Sequence, residues 1–284
     1  MRDTYRNHAG AGRVRAWCQK ALSEWSTPHT VFELETSFGA TAVVVAGDGP
    51  DLCVYLPGAN YNAITSLPLI DALTTSFRVW AVDLPGQPGL SAPGRPDRLD
   101  EHGPWLREVL IAARTAHPDA RIVLVGLSRG AAIALLAPPD LVDALALVSP
   151  GGLTAVRPSF RMAALGMRWS LEKSDGASHA LLAWMAATGR HPLPDHVAWM
   201  TLVAQTSRLT LAPEALPQTV LERWRGRTVG VIVGAEDVFF PSAQLSDASV
   251  DTVGVTPAVV PWSGHLLFSE DPGRVAEAVA HLLE

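Results

Sequence analysis

Ser128 stands in Gly126-Leu127-Ser128-Arg129-Gly130, after an apolar run and before a small-residue segment of helical character. A serine hydroxyl is a weak nucleophile at neutral pH. It needs a base within hydrogen-bond reach, a group that orients the base, and donors for a developing oxyanion. Glycines on both sides of a serine, between a strand and a helix, fit a sharp turn that lifts Oγ above a sheet. By itself the pentapeptide also fits a tight turn with an ordinary serine; the strand before it and the helix after it favour the nucleophile.

Around such an elbow the acid and then the base follow the serine along the chain. His265, in Pro261-Trp262-Ser263-Gly264-His265, follows the last apolar run and is the expected base. Asp237, in Gly234-Ala235-Glu236-Asp237, follows the apolar run at 229–233 and is the expected acid, preferred over Glu236, Asp247 and Asp251. His102, His117, His179, His191, His196 and His281 are expected to be structural or superficial. The oxyanion donors would be the backbone N–H of Arg129, at a helix start, and that of Ala59, in Leu56-Pro57-Gly58-Ala59-Asn60. Asn60 and Tyr61 could touch substrate with their side chains. Arg129 could meet an anionic group, although its side chain is expected to point to solvent.

These residues need a scaffold that brings them to one edge. Apolar runs at 52–56, 79–82, 122–125, 144–148, 229–233 and 255–260 read as strands buried on both faces, as in a parallel sheet. Residues 31–38 and 41–46 read as a hairpin turning at Gly39. Helical patterns at 13–25, 64–75, 103–116, 129–137 and 272–283 alternate with them, which argues for an α/β fold. Residues 151–225 break the rhythm, with helical patterns at 158–172, 177–188, 195–208 and 214–224 and no strand-like run. The expected organisation is a core of 1–150 and 226–284 with a helical cap at 151–225. Trp184 and Trp199 in the cap, and Trp262 three residues before His265, are candidates to line an apolar pocket; most of the nine tryptophans would simply pack the cap.

The 284 residues are 48% hydrophobic and 18% charged, with a formal net charge of −6. No basic stripe suggests nucleic-acid binding, and no apolar run reaches the roughly 18 residues of a membrane span. Arginines near the N-terminus have no apolar stretch behind them, which argues against a secretory signal. Cys18 and Cys53 read as free buried thiols, so a cytoplasmic protein is expected, a monomer or homodimer. This chemistry calls for no metal and no cofactor.

Several motifs, in order over residues 30–284, resemble the α/β-hydrolase family: Leu56-Pro57-Gly58, Asp83-Leu84-Pro85-Gly86 with Gly89-Leu90-Ser91, Gly126-Leu127-Ser128-Arg129-Gly130, Gly234-Ala235-Glu236-Asp237 and Gly264-His265. The stretch from Ala21 to Gly39 is also similar to single-domain bacterial carboxylesterases. The resemblance implies a mostly parallel eight-stranded sheet flanked by helices, with the cap inserted after the sixth strand. Three departures stand out. Pro57 replaces the family's usual His, the Asp83 turn is one residue longer than Asp-x-x-Gly-x-Gly, and Pro138-Pro139 cut the helix after the elbow short. Asp83 itself reads as a turn residue.

The function expected is a serine hydrolase that cleaves an ester, thioester or lactone of a hydrophobic small molecule through an acyl-enzyme. Two alternatives use the same residues. One is a carbon–carbon bond hydrolase or an acyl-transfer or cyclising enzyme; the other is a ligand-binding protein on a hydrolase scaffold.

Overall fold

The structure is a computed structural model that describes residues 2–156 and 159–284. Eight strands form one sheet: β1 (His29–Thr36), β2 (Gly39–Ala46), β3 (Asp51–Leu56), β4 (Phe77–Val82), β5 (Ile122–Leu127), β6 (Ala144–Val148), β7 (Val229–Gly234) and β8 (Ala258–Val260). Their spatial order is β8-β7-β6-β5-β3-β4-β2-β1. β2 runs antiparallel to both β1 and β4, and every other neighbouring pair is parallel. The expected hairpin at Gly39 is present, with Thr36 paired to Gly39. A separate two-stranded ribbon joins Arg2–Asp3 to Gly94–Arg95.

Successive strand residues point to opposite faces, and both faces are apolar. Cys53, Tyr55, Val123, Val125 and Leu127 enter one buried cluster; Leu52, Val54, Leu56, Ile122 and Leu124 enter the other. This is why these strands read as unbroken apolar runs. The central strands carry the elbow, so the nucleophile's turn is anchored in the most deeply buried part of the sheet.

The helices are α1 (His8–Glu24), α2 (Leu67–Leu73), α3 (His102–Ala116), α4 (Arg129–Ala134), α5 (Phe160–Glu172), α6 (Asp175–Met185), α7 (Pro194–Thr206), α8 (Gln218–Leu221), α9 (Ser242–Thr252), α10 (Leu267–Glu270) and α11 (Pro272–Ala280). Some differ from expectation. α1 starts earlier, because Asn7 caps it by accepting from the Gly10 N–H at 2.8 Å. α5 begins after Ser159; the first residue expected for it, Pro158, lies outside the described residues. The helix expected at 214–224 shrinks to α8 and one turn of 3-10 helix, leaving an irregular stretch before it. α9 carries Ser242, Ser246, Asp247, Ser249 and Asp251, too polar a run to announce itself by periodicity.

Among the described residues, 151–225 contain helices and no strand. Trp169, Leu182, Met185, Trp199 and Val203 share one buried cluster with α1 and one face of the sheet. Among the described residues, no helix is long and apolar enough to cross a membrane.

Candidate active site

β5 ends at Leu127, and Ser128 turns the chain into α4 with φ 51° and ψ −108°. A non-glycine residue held there costs on the order of 1–3 kcal/mol and persists only where its surroundings enforce it. Here the Ser128 N–H donates to Val148 O at 2.9 Å, and its carbonyl accepts from Ala131, Gly151 and Ala132 N–H at 3.0–3.3 Å. The flanking glycines serve a different purpose, which is room. A Cβ on Gly126 would stand 2.5 Å from Ala131 Cα, and one on Gly130 would stand 2.2 Å from Leu56 O. The strain therefore sits on the serine, and the glycines let three backbones meet around it.

His265 Nε2 lies 3.2 Å from Ser128 Oγ, and His265 Nδ1 lies 2.9 Å from Asp237 Oδ2. Asp237 is 4% exposed, and its other oxygen accepts from the N–H groups of Phe239 and Phe240 at 2.9 and 3.0 Å. Burial works to raise the Asp237 pKa. The charge and hydrogen bond of His265 and the two N–H donors outweigh it, and the carboxyl titrates below its ordinary range. Phe239 and Phe240 also pack on the His265 ring, with centroids 4.6 and 5.7 Å away. Ser128, His265 and Asp237 thus form one hydrogen-bonded line in which a proton could pass from hydroxyl to imidazole. Glu236 faces elsewhere, accepting from the N–H and Oγ1 of Thr188 at 2.9 and 2.6 Å.

The loop after β3 passes over the nucleophile: a Cβ on Gly58 would lie 3.6 Å from Ser128 Cβ. The Arg129 N–H belongs to the first turn of α4, where no intrahelical acceptor exists. Neither that group nor the Ala59 N–H is taken by another group among the described residues. Both are free to bind an oxygen.

The remaining candidates fare differently. The Asn60 side chain is already occupied: Nδ2 donates to Thr210 O and Oδ1 accepts from Thr210 N–H, each at 2.9 Å. Its backbone N–H donates to Gln87 Oε1 at 2.7 Å. Trp199 is fully buried and donates from Nε1 to Asn60 O at 2.8 Å, so it supports the loop from behind. Tyr61 is 5% exposed, edge-on to Phe268 and His196, and its hydroxyl has no partner. Trp184 packs edge-on to Phe239 and so stands one ring away from His265. Trp262 is 74% exposed and turned outward at φ 57°. The Arg129 side chain is not directed to solvent as expected; it is half-buried, and its Nε is fully enclosed. Asp83 does more than cap its own turn: it is buried and takes the N–H groups of Ala63 and Leu90 on its two oxygens.

Sequence reasoning missed the groups that hold the histidine loop. Glu270 accepts from Gly264 N–H at 2.6 Å and from Ala187 N–H at 2.8 Å, and His265 N–H donates to Met185 O at 2.8 Å. The end of α6 is thereby tied to the loop that carries the imidazole. Among the described residues there is no cluster of three His, Cys, Asp or Glu side chains suited to a metal ion.

Against known proteins, a model of the alpha/beta hydrolase family matches residues 53–278. Carboxylesterase YbfK of Bacillus subtilis is 26% identical over 282 residues, covering 93% of this chain and 91% of that one. The uncharacterized carboxylesterase nap of the same organism is 27% identical over 277 residues, covering 92% and 88%. The crystal structure of carboxylesterase CesB (YbfK) from Bacillus subtilis superposes with TM-score 0.79 at 20% identity, over 97% of this chain and 98% of that one. That of the Bacillus subtilis naproxen esterase gives TM-score 0.79 at 20% identity, over 98% and 100%.

Proposed function

This chain belongs to the alpha/beta hydrolase family, and we propose that it is a serine carboxylesterase acting on hydrophobic small-molecule esters. The observation that carries the reading is the continuous line from Ser128 Oγ through both His265 nitrogens to Asp237, with spacings of 3.2 and 2.9 Å. The carboxylesterase names of its relatives support the choice of an ester over other acyl compounds.

In the proposed reaction Ser128 Oγ attacks the carbonyl carbon while its proton moves to His265 Nε2. The N–H groups of Ala59 and Arg129 hold the oxyanion, and Asp237 stabilises the imidazolium without taking its proton. The alcohol leaves with the proton from His265. A water then attacks the acyl-serine, again giving its proton to His265, and the acid is released as Oγ is reprotonated. The insertion around Met185 and Trp184 forms a wall beside the imidazole, where it would exclude water and favour apolar substrates.

A fluorophosphonate probe is expected to label Ser128, and the protein to hydrolyse short 4-nitrophenyl esters. Ser128→Ala should lose both at unchanged fold by circular dichroism. An intact protein that resists the probe, or a Ser128→Ala variant turning over esters near the wild-type rate, would refute the assignment.

A further inference from the structure

The residue after the nucleophile carries an uncompensated charge. Arg129 Nε is enclosed and has no hydrogen-bond partner. No ion pair among the described residues includes Arg129, and Met1, Arg157 and Pro158, which lie outside them, bring no carboxylate. Burial first, and then the charge of Arg95, lower its pKa to about 10, so it remains a cation at neutral pH. Arg95 is itself drawn to the insertion, donating to Arg208 O and Leu209 O at 3.2 and 3.3 Å. On another side stands His102, 1% exposed, with Nδ1 3.0 Å from Leu99 O and Nε2 unpartnered. That ring is neutral, since burial and then the Arg129 charge push its pKa down to about 4.

An enclosed N–H with no acceptor costs about 1–3 kcal/mol. Arg114, half-buried elsewhere in the chain, is by contrast paired with Asp143 at 2.6 Å. Stability alone therefore gives no reason to keep an isolated cation beside the nucleophile. Its N–H groups form a planar fork that matches a carboxylate in two parallel hydrogen bonds. The backbone N–H of the same residue, directly after the nucleophile, is free to hold the reacting carbonyl oxygen.

We propose that Arg129 binds a carboxylate carried on the acyl part of the substrate, so that the preferred esters are monoesters of short dicarboxylic acids. This rests on the esterase reading above.

The test compares 4-nitrophenyl hydrogen glutarate with 4-nitrophenyl pentanoate, which has the same chain length without the charge. The wild type is expected to favour the charged ester in kcat/KM by about ten- to a hundredfold, the range for hydrogen bonds to a charged group. Arg129→Met should abolish that preference, and Arg129→Lys, which keeps charge but not the fork, should retain part of it. A wild type that favours the pentanoate, or a folded Arg129→Met variant with the ratio unchanged, overturns the proposal. A second arm uses glutarate monoamide, which carries the same carboxylate on an unreactive carbonyl, titrated calorimetrically into Ser128→Ala. Binding that disappears when Arg129→Met is added supports the anion site. No binding by the folded protein overturns it. If neither ester is hydrolysed while the monoamide binds, the esterase reading fails and the anion site stands.

Discussion

Asn60 and Thr210 exchange two 2.9 Å hydrogen bonds, from side-chain amide to backbone, across 150 residues of sequence. Gln87 completes the arrangement, accepting from the Asn60 N–H at 2.7 Å and donating to Thr210 Oγ1 at 2.9 Å. The loop over the nucleophile, the turn after β4 and the irregular stretch leaving the insertion are thus held to one another. Asn60 sits at φ 63°, a left-handed conformation that asparagine tolerates better than most residues. The position of the Ala59 N–H depends on this lock.

Asn60→Ala should therefore act on both stability and rate. It leaves the buried N–H and C=O of Thr210 without partners, at a cost of about 1–3 kcal/mol each. A lower denaturation midpoint is expected, together with a kcat loss larger than the change in KM, because the oxyanion donor is displaced. Equal stability and equal kcat would show that the lock is dispensable.

Asp237→Asn should leave the imidazole in place but present it in the wrong tautomer. The side-chain oxygen can still accept from Phe239 and Phe240, so the amide would face Nδ1 and favour a proton on Nε2. The expected fall in kcat is on the order of 10³–10⁴-fold, by comparison with such a change in other serine hydrolases. Glu236→Gln is the control; its carboxylate faces Thr188, and it should change kcat far less. A larger loss from Glu236→Gln than from Asp237→Asn would reverse the acid assignment.

Much of this site was legible in the chain because its parts are local. The apolar runs mark strands covered on both faces, and Ser128, Asp237 and His265 each follow such a run in the order the elbow requires. What was not legible is direction. Arg129 directly follows Ser128 and Trp262 stands three residues before His265, yet one side chain is half-buried with its Nε enclosed and the other is exposed, and only tertiary packing decides which. Asn60 looked like a substrate contact because nothing nearby in sequence announces Thr210. Glu270 escaped notice because its partners are backbone N–H groups of Gly264 and Ala187, which any residue type would supply.

Asp83 predicts a pH effect whose sign is unusual for a carboxylate. It is buried, and burial raises its pKa from 3.8 to about 6 in spite of its bonds from Ala63 and Leu90 N–H. The unfolded chain titrates near the ordinary value, so between about pH 4 and pH 6 the folded state holds more protons. Stability from this group then falls as pH rises through that window, by up to about 3 kcal/mol. Asp83→Asn removes the titration and also one of the two N–H acceptors. Urea unfolding of both proteins should show wild type ahead by most at pH 4, with the gap narrowing toward pH 6.5. A gap that widens with pH would mean that the native carboxyl titrates below its unfolded value.

Glu270→Gln tests whether the histidine loop is held from the insertion. A glutamine can accept from only one of the Gly264 and Ala187 N–H groups and must turn an NH2 toward the other. His265 would keep its bond to Met185 O, so the loop should shift rather than unfold. Displacement of a reacting group by even 1 Å can cost about 10²-fold in rate. A kcat reduced about ten- to a hundredfold is expected, with KM changed little, because Glu270 acts through the backbone N–H groups of Gly264 and Ala187 that hold the histidine loop. Glu270→Ala should lose more, as both N–H groups are then left without an acceptor. If the two variants raise KM and spare kcat, Glu270 shapes the pocket rather than the position of His265. If they lower only the melting temperature, the link between α6 and the histidine loop is structural alone.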